Sequence, residues 1–145
     1  MKVLLLFPPD WLPSEPYLSL PSLTSVLRPA GHEVVQKDIN VEMYDLMFSE
    51  PFLRHARKRM AFELNHLLSV SKSRPLNEEE ERLQSQLKLC TDEETARLIQ
   101  DIEKAKSILR SETFYEIDKL EWATQRLHET MAVISLAYYP AQICF

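Results

Sequence analysis

Residues 1–40 read MKVLLLFPPDWLPSEPYLSLPSLTSVLRPAGHEVVQKDIN. Val3 to Phe7 is apolar without alternation, the pattern of a parallel strand buried on both faces. Pro8 and Pro9 lack the N–H that a ladder needs, so the strand stops there. A loop, Asp10 to Pro16 (DWLPSEP), follows. Leu20, Leu23, Val26 and Leu27 then recur at helical spacing, with Pro21 tolerated in the first turn. Pro29 and Gly31 end that helix, and Glu33 to Ile39 (EVVQKDI) reads as a second strand. Strand, loop, helix, strand is half of a doubly wound fold. Such folds take their ligands outside the carboxyl ends of the strands, here Phe7-Pro8-Pro9-Asp10 and Asp38-Ile39-Asn40.

The organisation changes from about Ser49. Val41 to Phe48 is expected to form a short helical turn. Glu50 to Val70 places Phe52, Leu53, Ala56, Met60, Leu64, Leu67 and Leu68 on a helical stripe, with Arg54, Arg57, Lys58 and Arg59 mostly opposite. Asn77 with Glu80, and Thr91 with Glu94, form capping boxes that open two further helices, running to about Leu89 and to Leu109. Ser111 and Glu112 open a last helix, with Phe114, Ile117, Leu120, Leu127, Met131 and Ile134 on one face. The expected fold class is therefore α/β: a partial doubly wound (Rossmann-like) βαβ unit followed by a mostly α-helical segment. Its divisions are expected at 1–48 for the βαβ start, 49–134 for a helical insert or bundle, and 135–145 for a hinge or third strand. The tail, Gln142 to Phe145, is a candidate third strand. Failing that, an apolar face near Val3, Leu5 and Val35 should be exposed, and such unpaired sheet edges invite self-association.

Composition narrows the function classes. The chain has 145 residues, 45% of them hydrophobic, with a formal net charge of −5. That balance argues against a nucleic-acid surface. The first apolar run is too short to span a bilayer and lacks the features of a signal peptide, and two unmatched cysteines fit a reducing compartment, so the cytoplasm is expected. A single glycine, Gly31, excludes a P-loop and a glycine-rich dinucleotide fingerprint.

The opening stretch carries an ordered set of signals: Pro8-Pro9, Trp11, Pro13, Pro16, then Leu27-Arg28-Pro29-Ala30-Gly31-His32-Glu33-Val34, and Asp38-Ile39-Asn40. It resembles the start of the cobalamin-binding domain in cobalamin-dependent radical S-adenosylmethionine proteins. Val41-Glu42-Met43-Tyr44 resembles the segment after that domain's second strand. Ala132 to Ala141 (AVISLAYYPA) resembles its hinge into a third strand. The helical middle matches in character alone. The resemblance implies a cobalamin site contributed in part by Pro8, Pro9, Trp11, Tyr17, Ser19, Leu20, Asp38 and Asn40. It further implies that a 4Fe-4S cluster and S-adenosylmethionine belong to a downstream barrel. With Cys90 and Cys144 alone, the C-x3-C-x2-C cluster motif is absent here, as is the D-x-H-x-x-G motif that places a histidine under cobalt. The resemblance thus implies a truncated N-terminal piece of a methyltransferase-like enzyme, holding no catalytic residue and no metal ligand of its own.

Plainer readings stand beside this one. Trp11, Pro13, Pro16 and Tyr17 either cap the sheet edge or offer rigid apolar surface to a corrin ring. Glu78 to Glu81 reads as a solvated helix start. His55 and His66 are eleven apart, where metal ligands usually sit three or four apart. His32, at the amino end of its strand, is expected to make a structural hydrogen bond. Cys90 reads as a packed thiol, and Tyr138-Tyr139-Pro140 as a packed hinge. Two other classes remain open. One is a small helical protein–protein interaction module with a short structural sheet. The other, a small nucleotide-binding module, is disfavoured by the single glycine.

Overall fold

The computed structural model describes residues 1–8, 18–90 and 92–143. Of these residues 73% are helical, and they include a small two-stranded parallel sheet. The chain divides into two compact units, Met1–Leu46 and Met47–Cys144.

The first unit holds β1 (Lys2–Phe7), α1 (Ser19–Leu27) and β2 (Glu33–Asp38), and α2 (Ile39–Met47) leads out of it. The strands pair in parallel, with Lys2 opposite Glu33 and Phe7 opposite Asp38. Gly31 makes the return from α1 possible. Its φ of +80° lies in the left-handed region that side chains with a Cβ avoid. Residues opposite each other in a parallel pair share a sheet face, so Val3, Leu5 and Phe7 lie on the face of Val34, Gln36 and Asp38. α1 packs on that face. Gln36 Nε2 donates to Thr24 Oγ1, and Thr24 is nearly fully buried, which ties α1 to β2.

The other face corrects two expectations. β1 is not buried on both sides: Leu4 and Leu6 are 59% and 50% exposed, and Val35 is 53% exposed. The exposed apolar face is therefore Leu4, Leu6 and Val35, while Val3 and Leu5 are half-buried. An unalternating apolar strand signals that both faces can be covered, and α1 covers one. The ends of this face carry the pairs Lys2–Glu33 at 3.3 Å and Lys37–Glu42 at 3.1 Å. Among the described residues the sheet has two strands, and residues 141–143 of the tail do not join it. Instead Ile143 N–H donates to Ser135 Oγ at 2.9 Å.

The second unit holds α3 (Glu50–Ser73), α4 (Glu78–Leu89), α5 (Asp92–Leu109), a 3-10 turn (Glu112–Tyr115) and α6 (Ile117–Ala137). Helix α3 starts on Ser49, whose hydroxyl accepts from Phe52 N–H, and its cap Arg74 is extended because Pro75 follows. The Asn77–Glu80 capping box is formed in both directions, at 2.8 and 2.9 Å. Thr91, of the second expected box, lies outside the described residues. Helices α3, α5 and α6 pack mutually, and α4 lies along α3. Their core is Leu53, Ile102 and Ile134, each at most 1% exposed, with Ala56, Ala105 and Ala123 fully buried. Small residues at these contacts let the helix axes approach. Full burial of each large aliphatic contributes about 1.5–3 kcal/mol.

The last helix departs from expectation. Its first turn is a separate 3-10 turn, and α6 begins only at Ile117. Phe114 and Ile117, expected on the buried stripe, are 40% and 70% exposed. Ser111 Oγ meets Thr113 Oγ1 at 2.6 Å, and Glu116 N–H donates to Thr113 O. Those local bonds hold a tight turn in place of an α-helical start.

Candidate functional site

The carboxyl ends of β1 and β2 lie side by side because the pairing is parallel and in register, ending at Phe7 opposite Asp38. Pro8, exposed, leaves the first strand at this edge. The second strand passes into α2 without a loop. Asp38 Oδ1 accepts from Val41 N–H at 3.0 Å, which makes Asp38 the cap of α2. One of its carboxylate oxygens is therefore engaged in holding the helix start. Asn40, in the first turn of α2, is 3% exposed.

A helix that joins two parallel strands has to run back, so its first turn lies toward the carboxyl edge. Ser19 and Leu20 open α1 there. Leu20 is 8% exposed and packs inward; Ser19 is half-buried. The residue before the helix, Leu18, offers no side-chain cap, so the first N–H groups of α1 receive no capping side chain from it. Of the eight residues named for the site, Pro8, Ser19, Leu20, Asp38 and Asn40 are described. Pro9, Trp11 and Tyr17 lie outside the described residues, as do Pro13 and Pro16.

Sequence reasoning did not single out the Thr24–Gln36 contact that seats α1 on the sheet. Gln36, in mid-strand among valines, was its one visible signal. His32 is at the opposite, amino end of β2, where its N–H donates to Leu27 O at 3.2 Å. Its Nδ1 is buried and meets no partner among the described residues.

The remaining candidates resolve into packing. Arg74 donates to both Glu80 oxygens, at 2.6 and 2.8 Å, and Asn77 N–H donates to Glu80 Oε2. The Arg74 hydrogen bond, then the Asn77 N–H, pull the Glu80 carboxyl down to about 2 from an ordinary 4.5. The same bond raises the Arg74 guanidinium. Tyr138 stacks on Phe52 and His55, with Arg59 over its ring at 4.8 Å, while Tyr139 is 42% exposed. The Tyr139–Pro140 peptide is cis. His66 Nδ1 lies 3.7 Å from Glu63. Cys90 Sγ is 3.6 Å from the buried Thr95 hydroxyl. Among the described residues, no group of three or more His, Cys, Asp or Glu side chains converges to hold a metal, and no helix is long and apolar enough to cross a membrane. No family model, curated protein or solved structure matches this chain.

Proposed function

We propose that the first unit is the start of a Rossmann-like, doubly wound cobalamin-binding domain. In this reading the chain is the N-terminal part of a cobalamin-dependent radical S-adenosylmethionine protein. The observation that carries the reading is the parallel register. It brings Phe7-Pro8 and Asp38 to one sheet edge, the edge at which doubly wound folds take ligands. The resemblance of residues 8–40 to that family supplies the identity of the ligand.

The donor set suits a corrin, a flat ring with an apolar face and amides around its rim. Pro8, with Pro9, Trp11 and Tyr17, supplies rigid apolar surface that loses little entropy on binding. Ser19 Oγ and the backbone N–H groups of Ser19 and Leu20 donate to amide carbonyls on the rim, with the Leu20 side chain holding the helix start in place. Pro21 has no N–H, and that of Ser22 is taken by Leu18 O. The resemblance assigns Asn40 to peripheral amides or the nucleotide tail, but at 3% exposed it presents almost no surface to a ligand. Asp38 keeps α2 capped and presents its carboxylate beside Asn40. When bound, cobalamin supplies a methyl carrier, with the 4Fe-4S cluster and S-adenosylmethionine held by a downstream barrel of the same protein. The residues of this chain bind and orient; none of them transfers a group.

The test is cofactor retention in the full-length protein. Trp11→Ala should release cobalamin on gel filtration, and Glu80→Ala, on the α4 surface, should not. Equal retention by both variants would return the first loop to its plainer reading as a sheet-edge cap.

A further inference from the structure

The α5–α6 connection exposes apolar side chains that a short helical hairpin has no need to expose. Tyr115 is 86% exposed, Ile117 70% and Phe114 40%. The turn that carries them is well bonded. Phe114 N–H donates to Ser111 O at 3.1 Å, Glu116 N–H to Thr113 O at 3.1 Å, and the Phe114 ring meets Tyr115 edge-on at 5.5 Å. Tyr115 is therefore held outward by a fixed backbone. Beside it a cleft of about 450 Å³ is lined by Lys104, Ile108, Thr113, Asp118, Lys119 and Trp122. Thr113 belongs both to the turn and to the cleft, so the projecting ring and the cleft share one surface.

Their charges match. Lys104 lies with its ammonium 4.8 Å from the Trp122 ring centre and makes no ion pair with a described residue. Glu112, on the turn, is exposed and likewise unpaired among the described residues. Lys119 is already paired with Glu116 at 2.9 Å. Asp118 is the one carboxylate of the cleft lining, and it stands in the first turn of α6, where the helix dipole favours it. A projection and a cleft of complementary charge on the same surface are what a two-fold interface requires, since each copy then offers both halves. A tyrosine entering an apolar pocket rimmed by charge is a usual anchor of such contacts.

We propose that the helical unit associates with a second copy of this chain through the α5–α6 tip. Tyr115 of each copy enters the cleft floored by Ile108 and Trp122 of the other, and Glu112 faces the other copy's Lys104. The reading is independent of cobalamin, because every residue in it belongs to the second unit. Sedimentation equilibrium of the whole chain tests it. The parent should populate a dimer, and Tyr115→Ser should weaken it by about tenfold or more. Lys104→Glu should weaken it as well, and adding Glu112→Lys to that variant should restore it. These positions are exposed, so circular dichroism of each variant should match the parent. A monomer at every concentration overturns the proposal. So does a dimer indifferent to Tyr115→Ser, or one abolished by Leu4→Lys on the uncovered sheet face alone. Failure of Glu112→Lys to rescue Lys104→Glu removes the charge pairing and with it the proposed docking.

Discussion

Replacing Arg59 with alanine should loosen the join between α3 and the end of α6. Arg59 Nε donates to Ala137 O at 2.7 Å, and Ala137 is the last residue of α6. That carbonyl is one of the four at a helix end that lack an intrahelical partner. The same guanidinium lies 4.8 Å over the Tyr138 ring, which stacks in turn on Phe52 at 5.7 Å. A hydrogen bond from a charged group is worth about 1.5–3 kcal/mol when buried, and an exposed cation–π contact about 0.5–1. Arg59 is largely exposed and one group makes both contacts, so the sum is discounted to about 1–2 kcal/mol. With a urea slope of about 1.5 kcal/mol per molar, the unfolding midpoint of the helical unit should fall by roughly 0.7–1.3 M. Arg59→Lys keeps the charge but loses the directed N–H, and should fall between. A double-mutant cycle with Tyr138→Leu should give a coupling of about 0.5–1 kcal/mol. An unchanged midpoint in Arg59→Ala, or a lysine variant equal to the parent, would refute the assignment.

Glu80 gives a pH-dependent effect. Its carboxyl is held at about 2 in the folded chain against 4.5 ordinarily, so its contribution is fully present above about pH 4.5 and is lost as the pH falls toward 2. The stability gap between the parent and Glu80→Gln should be flat at neutral pH and shrink across that window; a gap unchanged down to pH 2 would contradict the Arg74 pairing. Ile102→Ala, at a fully buried position between packed helices, should cost about 2–5 kcal/mol in chemical denaturation, and a loss below about 1 would show the site less well packed than described. Leu4→Lys on the exposed sheet face should change stability by no more than about 0.5 kcal/mol, whereas Val34→Lys on the α1 face should cost several times that; equal losses would mean that both faces are covered.

Much of the architecture was legible because it rests on local chemistry. The β1–α1–β2 order follows from Val3–Phe7, the Leu20–Leu27 spacing and Gly31. The start of α4 follows from Asn77 and Glu80 three apart. Two kinds of feature were not legible. One was which sheet face is covered: Leu4 and Leu6 look as apolar as Val3 and Leu5, and only the placement of α1 separates them. The other was competition between local bonds and periodicity. Phe114 and Ile117 fit the helical stripe of α6, but the Ser111 and Thr113 hydroxyls favour a tight turn that puts both outside it. At the candidate site, Asp38 reads from sequence as a strand end and ligand donor, not as a helix cap. Its bond to Val41 N–H assigns one oxygen to the cap.

The carboxyl edge of β1 and β2 is proposed as part of a cobalamin site. Its most direct test is an absorbance titration of the full-length protein with hydroxocobalamin, run beside residues 1–145 alone. The full-length protein should saturate at about one equivalent. Binding to residues 1–145 should be weak, since one βαβ unit covers only part of so large a ligand. A full-length protein whose corrin spectrum shows no saturable change would contradict it.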